Sequence, residues 1–549
     1  MNKWIMICGM GIILSSCMSS PAGEQAKNIT DESLMEHIRI LSSDEFMGRG
    51  TGTEGEQMSV DYLVNEFKEM GAASGTKDGS FVQPFPLLGQ KTYGADLAMI
   101  RQNVGSVLGT FNYYDDFVAW PANESERVAI EDAELVYVGY GIQAPEEDWD
   151  DFKEADVEGK ILVIKNNDPE YDEDLFGGKT RLYYGRYTYK YEKAKEMGAL
   201  GAIIIHTTPT AGYGWNVVSN SWSRERFYVK SAEGEDKGKT EFNGWITFDA
   251  GQKLFNEAGL DLEEMLEAAD DPDFEPVALT GVGMNITLNA DYRDINGKNV
   301  VAKIEGSDTE LNDEYLILTA HFDHLGITTP VEGDSVNNGA EDNAAGVSAL
   351  LEMMKNYKAI QPELKRGVIG LVVSAEEVGL LGSQYWAKNS TEDPGKITAN
   401  INLDGMNVYG ETRDLVVIGY GRNTMAELIE QVAEESGRTI KPDQAPENGI
   451  FYRSDHFNMA KIGIPAVFPT PGNEFVNKPE GFSSVRDSVK SANYHSVNDE
   501  INEYWDLSGA AKDARLLFEA GFRAINAPAL QKWSEGDEFE AVRLEMTQN

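Results

Sequence analysis

From Asn299 onwards, apolar runs typical of buried strands alternate with apolar patterns of helical period. We predict strands at Val300–Ile304, Tyr315–Ala320, Val368–Val373, Ala399–Leu403, Leu415–Ile418 and Ala466–Phe468. Helices are predicted at Ala345–Tyr357, Gly379–Asn389, Thr424–Glu435 and Gly509–Ile525. Strands separated by helices indicate an α/β fold, a three-layer sandwich around a mostly parallel mixed sheet.

The residues before this segment have a different character. Helical spacing at Leu34–Leu41 and Val60–Met70 flanks a glycine-rich stretch, S-S-D-E-F-M-G-R-G-T-G-T-E-G, which no G-K-[ST] follows, so we expect a plain loop. Further on, β-branched runs such as Ala133–Val138 and Ile161–Ile164 predict strands. A tyrosine-rich stretch, residues 183–191, is expected to pack against the neighbouring domain.

The first residues resemble a bacterial lipoprotein signal. A basic start and an apolar run too short to span a bilayer end in Leu14-Ser15-Ser16-Cys17, which makes Cys17 the predicted lipidated residue. Met18 favours an outer-membrane anchor over retention in the inner membrane. Because Cys8 would leave with the signal, the exported chain keeps no free thiol, and we expect neither disulfides nor cysteine–metal sites.

Composition limits the partners. The 549 residues include 92 Asp plus Glu against 47 Lys plus Arg, a net charge of −45. Such a field repels nucleic acid and anionic lipid head groups, so the only membrane contact expected is the lipid anchor.

Two imidazoles and three carboxylates stand out as candidate metal ligands. They are His321, Asp342, Glu377, Asp404 and His495. His321, Glu377 and Asp404 each follow a predicted strand, and ligands of open α/β sheets gather at the carboxyl ends of strands. This donor set suits two zinc ions that share one carboxylate, and it leaves Glu376 free to move protons.

The neighbours of these residues suggest further roles. His321 and Asp323 are two residues apart, so in extended backbone Asp323 can accept the second imidazole N–H, and His324 is predicted to point away. Taken alone, Asp342 before a helix would be an ordinary N-cap, and His495 in a polar loop would be a surface histidine.

The motifs H-F-D-H-L-G, G-A-E-D-N-A-A-G, S-A-E-E-V-G-L-L-G-S, N-L-D-G-M, S-D-H … G-I-P-A and Y-H resemble the bacterial co-catalytic di-zinc aminopeptidase family. That family also contains glutamate carboxypeptidase II and the catalytically dead ectodomain of the transferrin receptor. The β-rich stretch is similar to the protease-associated domain. The resemblance therefore implies a zinc-exopeptidase-type fold with an inserted protease-associated domain.

The resemblance also implies roles and boundaries. His321 and Asp404 would hold one zinc, Glu377 and His495 the other, and Asp342 would bridge them. Glu376 would be the general base, and Asp323 would orient His321. The implied organisation is a signal (1–17), a tether (18–29), an N-terminal catalytic part (30–124), the insert (125–290), the catalytic domain (291–530) and a tail (531–549).

The resulting hypothesis is a zinc-dependent aminopeptidase with two zinc ions per chain, acting on peptides with a free N-terminus. The alternatives are a carboxypeptidase, a single-zinc glutaminyl cyclase, or a non-catalytic receptor-like module on the same fold. The motifs do not fix the oxyanion-stabilising residue, for which Tyr452 and Arg453 are candidates.

Overall fold

The computed structural model describes residues 21–172, 175–232, 238 and 240–547. The predicted signal and Cys17, the predicted lipid attachment point, lie outside these residues. Within the described part of the chain, no helix combines the length and the apolar character that crossing a bilayer requires.

Strands account for much of the described chain. They are β1 (Ala73–Ser74), β2 (Val82–Arg101), β3 (Val107–Phe111), β4 (Phe117–Pro121), β5 (Arg127–Tyr137), β6 (Gln143–Ala144), β7 (Trp149–Asp150), β8 (Ile161–Lys165), β9 (Gly201–His206), β10 (Arg226–Val229), β11 (Phe242–Thr247), β12 (Val277–Ile304), β13 (Tyr315–His321), β14 (Gly326–Val331), β15 (Asp334–Asn337), β16 (Gly367–Val373), β17 (Ile397–Asn402), β18 (Asp414–Ile418), β19 (Thr439–Lys441) and β20 (Ala466–Pro471).

The helices lie mainly on the two faces of the sheet. They are α1 (Pro21–Gln25), α2 (Asp31–Leu41), α3 (Glu54–Glu69), α4 (Tyr187–Glu196), α5 (Thr208–Ala211), α6 (Trp215–Trp222), α7 (Phe248–Glu257), α8 (Leu262–Ala268), α9 (Ala345–Ala359), α10 (Leu381–Asn389), α11 (Thr424–Glu435), α12 (His456–Lys461), α13 (Phe482–Asn493), α14 (Ser508–Asn526) and α15 (Glu540–Thr547).

The C-terminal region (residues 291–530) contains the predicted α/β sandwich. Its sheet runs in the order β19-β18-β20-β17-β13-β16-β12. Strand β13 lies parallel to both β16 and β17, and β17 lies parallel to β20, whereas β12 and β18 introduce antiparallel pairs. The sheet is therefore mixed and mostly parallel, as the sequence predicts.

Alternate residues of β13 face two different layers. Leu316, Leu318 and Ala320 join a core with α2, α9, α11 and α14. Tyr315 and Ile317 join a second core with α10 and α12 on the other face. A strand covered on both faces reads as a continuous apolar run, which is why the strands of this segment are recognisable in the sequence.

The middle region (residues 125–290) is joined to this sheet through β12. Strand β12 pairs with β16 at its C-terminal end and with β2 and β5 along the rest of its length. Beyond β5 the sheet continues as parallel strands β8, β9 and β11. From the sequence, only Val300–Ile304 of this 28-residue strand is predicted. Buried and half-buried residues alternate at Met284–Ala290, which is itself a strand pattern that the prediction missed.

Candidate metal and catalytic site

The first donor group brings together His321, Asp342 and Asp404. His321 is the last residue of β13, and Asp404 follows β17, its parallel neighbour. Nε2 of His321 lies 3.2 Å from Oδ1 of Asp342 and 3.3 Å from Oδ1 of Asp404. Three residues far apart in the sequence therefore converge on one point at the carboxyl edge of the sheet.

The second donor group shares Asp342 with the first. Nε2 of His495 lies 3.2 Å from Oδ2 of Asp342 and 3.0 Å from Oε2 of Glu377. Asp342 thus presents one carboxylate oxygen to each group. This is the arrangement that a bridging carboxylate requires.

The structure adds His324 to the second group. Its Nδ1 lies 2.7 Å from Oε1 of Glu377, and donor atoms of His324, Asp342 and Glu377 all lie within 4.8 Å of one another. The prediction that His324 points away is wrong. Strand β13 ends at His321, so the alternation of side chains does not continue to residue 324.

The spacing of the donors fits zinc. Ligand atoms about 2.0 Å from a tetrahedral ion lie about 3.3 Å apart, and the four distances from Nε2 of His321 and of His495 to the carboxylate oxygens are 3.0 to 3.3 Å. The donors are imidazole nitrogen and carboxylate oxygen, both common zinc ligands.

The tautomer of His321 strengthens this fit. Its Nδ1 lies 3.1 Å from the backbone carbonyl oxygen of Asp323, and a carbonyl can only accept. Nδ1 therefore carries the proton in the neutral ring, and the lone pair of Nε2 faces two carboxylates. The lone pair of Nε2 and the two carboxylates repel one another, and a cation bound between them would attract all three.

Asp323 supports the turn that carries the two glutamates. Its carboxylate lies 3.8 Å from Nδ1 of His321, further than its carbonyl, and it accepts hydrogen bonds from the backbone N–H groups of Glu376 and Glu377 at 3.1 and 3.4 Å. The backbone carbonyl of Asp323 thus orients His321, and its carboxylate orients the backbone of Glu376. Burial raises the pKa of Asp323 to about 7.

Glu376 is placed apart from both donor groups. It follows β16, and its side chain lines the cleft while Glu377 turns to the second group. Burial raises the pKa of Glu376 well above its usual range; the charge on His321 opposes the rise, and Asp404 and Asp455 add to it. A carboxylate with a raised pKa is suited to accept a proton from water.

The donor groups are strongly coupled electrostatically. Burial alone would raise the pKa of Asp342, but hydrogen bonds from His321 and His495 hold it well below its usual range. Burial likewise opposes ionisation of His495, yet its contacts with Asp342 and Glu377 raise its pKa to about 10. The surplus of carboxylates therefore attracts any nearby cation.

Asn343 holds the loops of the first donor group in register. Its side-chain amide donates to the carbonyl oxygens of His321 (3.2 Å) and Leu403 (2.9 Å), while its Oδ1 accepts from the N–H of Gly405 (2.8 Å). Sequence reasoning missed this role.

Arg49, in the glycine-rich loop, is a second supporting residue that the sequence did not reveal. It is fully buried and donates to carbonyl oxygens of Phe322 (2.7 Å), Asn338 (2.6 Å) and Gly339 (2.8 Å). These residues flank His321 and precede Asp342. The guanidinium group of Arg49 connects two segments that carry proposed ligands. The loop near the N-terminus therefore supports the site.

The candidate site opens into a cleft of about 110 Å³. Tyr494 lines it and stacks on His495, with ring centroids 3.8 Å apart. Arg453 also lines it. Tyr452 is buried outside it, where its hydroxyl bonds to Glu538. Of the two oxyanion candidates from the sequence, Arg453 lines the cleft and Tyr452 does not.

His456 lies in the wall behind the cleft. Its ring packs edge-on against Phe451 at 4.7 Å. Burial and the positive charge of Arg422 lower the pKa of His456 to about 3, so the ring is neutral. The ring therefore supports the wall of the cleft.

Comparison with known proteins is consistent with this geometry. Residues 299–518 match the model of Peptidase family M28. A probable zinc metalloprotease of Pyrenophora tritici-repentis is 23% identical over 233 residues, 42% of this chain and 44% of its own. A probable leucine aminopeptidase of Arthroderma benhamiae is 31% identical over 178 residues, 31% of this chain and 44% of its own.

The chain spans about half the length of these curated relatives. Among solved structures, an aminopeptidase from Aneurinibacillus sp. strain AM-1 is 20% identical and aligns with a TM-score of 0.49 over 92% of this chain and 96% of its own. The matched segment, residues 299–518, carries every predicted metal ligand.

Proposed function

We propose that this chain is a zinc-dependent aminopeptidase that removes N-terminal residues from peptides and holds two zinc ions. The observation that carries the proposal is the pair of donor groups at tetrahedral spacing that share Asp342. Glu376 stands beside them in the same cleft. A buried carboxylate with a raised pKa beside two metal-type donor groups is typical of a catalytic site and is not required for binding alone.

The first group, His321, Asp342 and Asp404, would hold one ion. The second, Asp342, Glu377 and His495, would hold the other, with His324 as a further imidazole beside Glu377. When bound, zinc supplies Lewis-acid chemistry that polarises a peptide carbonyl and lowers the pKa of water.

Glu376 would move the proton. Its carboxylate takes a proton from the attacking water and passes it to the nitrogen of the departing amine. Asp323 fixes the turn that presents Glu376 by accepting its backbone N–H. The hydroxyl of Tyr494 is suited to donate to the developing oxyanion, because burial and the nearby carboxylates raise its pKa and keep it protonated.

The charge of the cleft favours a free amine over a carboxylate at the metal end. Besides the proposed ligands Asp342 and Asp404, the carboxylates of Glu341, Glu376 and Asp499 line it, together with the cations Lys490 and Arg453. Bound zinc would neutralise the ligand carboxylates, so the attraction for an α-ammonium group comes from Glu341, Glu376 and Asp499. This favours an aminopeptidase over a carboxypeptidase, and the name of the relative from Arthroderma benhamiae agrees.

Location is a separate proposal. We infer export and lipid attachment at Cys17 to the outer membrane from the lipobox-like sequence. A Cys17→Ser variant should move from the membrane fraction to the soluble fraction. Equal membrane association of the variant and the native protein would contradict the anchor.

Glu376→Gln tests the central proposal. We expect the variant to keep two zinc ions by elemental analysis and to lose about 10²- to 10⁴-fold in kcat on Leu-p-nitroanilide, because it lacks the general base. The exposed Glu257→Gln is the matched control and should retain activity. Full turnover by Glu376→Gln would contradict the role of the base.

The substrate class is tested by blocking the N-terminus. The native enzyme should hydrolyse Leu-Ala-Ala and leave its N-acetyl form intact. Equal hydrolysis of both would contradict an aminopeptidase. Cyclisation of N-terminal glutamine with one zinc per chain would instead favour a glutaminyl cyclase.

A further inference from the structure

Three arginines lie where the middle region packs against the turn that carries Arg453, and the side chain of Arg181 lies beside Gly449 of that turn. Arg453 lines the cleft beside Tyr494 and His495. Arg181 and Arg186 come from the segment of the middle region just before α4. We refer to these three residues as the arginine cluster.

Specific contacts hold the middle-region segment against the turn that carries Arg453. The backbone N–H of Arg181 donates to the carbonyl oxygen of Pro446 (3.2 Å). The ring of Tyr183 stacks on Tyr452, with centroids 6.2 Å apart. The ammonium group of Lys461 donates to the hydroxyl of Tyr183 (2.9 Å). The segment is thus fastened immediately next to Arg453, as predicted for the tyrosine-rich stretch.

The arginine cluster lacks counter-ions within the described part of the chain. No carboxylate oxygen there lies within 4.0 Å of any of its three guanidinium groups. Arg181 donates to the carbonyl oxygen of Thr210 (3.0 Å), and its Nε is buried without a hydrogen-bond partner among the described residues. Nearby Asp168 is shared with the buried Lys190, whose charge acts on its pKa more strongly than that of Arg181.

Unpaired guanidinium groups are unusual in a chain with a net charge of −45. The other arginine near this wall, Arg422, pairs with Asp537 and Glu538 at 2.7 Å each. The cluster also repels itself: partial burial, and then the charges of Arg186 and Arg181, lower the pKa of Arg453. Arg453 is exposed and Arg181 and Arg186 are half-buried, so the three guanidinium groups are open to an anionic ligand, which would relieve their mutual repulsion.

Groups of opposite charge therefore lie in and beside the cleft. Carboxylates line the metal end, Arg453 and Tyr494 line the same cleft, and the segment with Arg181 and Arg186 packs beside the turn that carries Arg453. A peptide whose α-ammonium group enters first would bring its downstream part to the arginines.

We propose that Arg181, Arg186 and Arg453 form a carboxylate subsite, which binds an anionic group of the peptide downstream of the scissile bond. The proposal rests on the aminopeptidase function and adds a substrate class to it. The carboxylate is either the C-terminus of a short peptide or the side chain of a downstream Asp or Glu. Arginine suits both because its planar fork matches a carboxylate with two parallel hydrogen bonds.

Two pairs of tripeptides distinguish the sources of the carboxylate. The first pair is Leu-Ala-Ala as free acid and as C-terminal amide. The second is Leu-Glu-Ala amide and Leu-Gln-Ala amide. With zinc-loaded full-length enzyme we expect kcat/KM to be at least about 10-fold higher for the carboxylate member of one pair, mainly through KM.

The preference should disappear when the arginines of the middle region are changed. In the double variant Arg181→Ala/Arg186→Ala, the ratio of kcat/KM within that pair should fall to about 1. Arg186→Gln, which leaves the buried Arg181 in place, should lower the ratio partway and guards against misfolding of the double variant. The exposed Arg127→Ala, a loss of one positive charge elsewhere in the middle region, should keep the native ratio.

The possible results distinguish failure of the subsite from failure of the proposed function. Ratios near 1 for both pairs in the native enzyme would overturn the subsite, and so would a preference that survives in the double variant. If the native enzyme hydrolyses no peptide, the proposed function fails, and calorimetric binding of the same peptides decides the subsite alone. Tighter binding of a carboxylate member by the native protein, lost in the double variant, would then support it, and equal binding would overturn it.

Discussion

The chain buries charge at the ends of parallel strands in two places, with opposite outcomes. In the middle region, a group that we call the insert cluster lies beyond β8 and β5. Its charged members are Asp151, Lys165, Asp168, Lys190 and Asp270. In the C-terminal region, the two donor groups and Glu376 lie beyond β13, β16 and β17.

The insert cluster largely neutralises its own charge. The ammonium group of Lys165 lies 2.6 Å from Asp270 and donates to the carbonyl oxygen of Leu266 (2.8 Å). Lys190 is fully buried, and the charges of Asp168 and Asp151 act on it. Two lysines among three aspartates leave little charge to be balanced from outside.

The cations beside the C-terminal site do not balance its carboxylates. Lys490 pairs with Glu341 (3.2 Å) in the cleft lining, and Arg49 donates its hydrogen bonds to backbone carbonyl oxygens. Imidazoles and a surplus of carboxylates remain around Asp342. Buried charged groups that pair with groups of opposite charge support the structure. A buried excess of carboxylates instead favours the binding of a cation.

Asp342→Asn gives the strongest test of this contrast. Loss of the shared carboxylate should weaken both zinc sites, and we expect zinc content well below two per chain and activity reduced by at least about 10²-fold, since even outer-shell partners of zinc are worth 10- to 100-fold. Elemental analysis and the peptide assay measure both. Asp151→Asn in the insert cluster is the control and should keep its zinc; two zinc ions in Asp342→Asn would refute the bridge.

Lys190→Met probes the other half of the comparison. Removing one partner from a buried charge cluster leaves Asp151 and Asp168 uncompensated, so the unfolding free energy should fall by about 3 kcal/mol. Urea unfolding measures the change, and zinc content should stay native. The exposed Lys195→Met on the same helix, α4, should lie within about 0.5 kcal/mol of the native protein. An unchanged midpoint for Lys190→Met would show that the cluster is not held by charge.

His456→Phe gives the smallest expected effect. Because the folded pKa of His456 is about 3, below the unfolded value near 6.5, its stabilising contribution is present above pH 6.5 and is lost as the pH falls. Between pH 8 and pH 5 the native protein should lose about 2 kcal/mol more than the phenylalanine variant. Urea unfolding with a chelator present, which removes the effect of metal release, makes the comparison. Parallel stability profiles would mean that His456 titrates normally.

Much of the C-terminal region is predictable because its strands are covered on both faces. Helix α11 occupies the predicted residues, Thr424–Glu435, and β13 and β16 differ from prediction by one residue at one end. Helix α13 was not predicted because its polar residues obscure the periodicity, and most of β12 was missed although its apolar and polar residues alternate. The domain boundaries remain predictions. The structure shows that β2 and β4, both before residue 125, pair with β10 and β11 of the middle region.

The sequence by itself determined the types of the donor atoms and their positions at strand ends, because buried parallel strands and the polar residues that follow them leave a local pattern. It also determined the excess of negative charge. Only the tertiary structure decided that His324 turns towards Glu377, that Arg49 and Asn343 frame the site, and that the segment with Arg181 and Arg186 packs beside the turn that carries Arg453. Those contacts join residues separated by tens to hundreds of positions, and chain packing, rather than local periodicity, determines which of them meet.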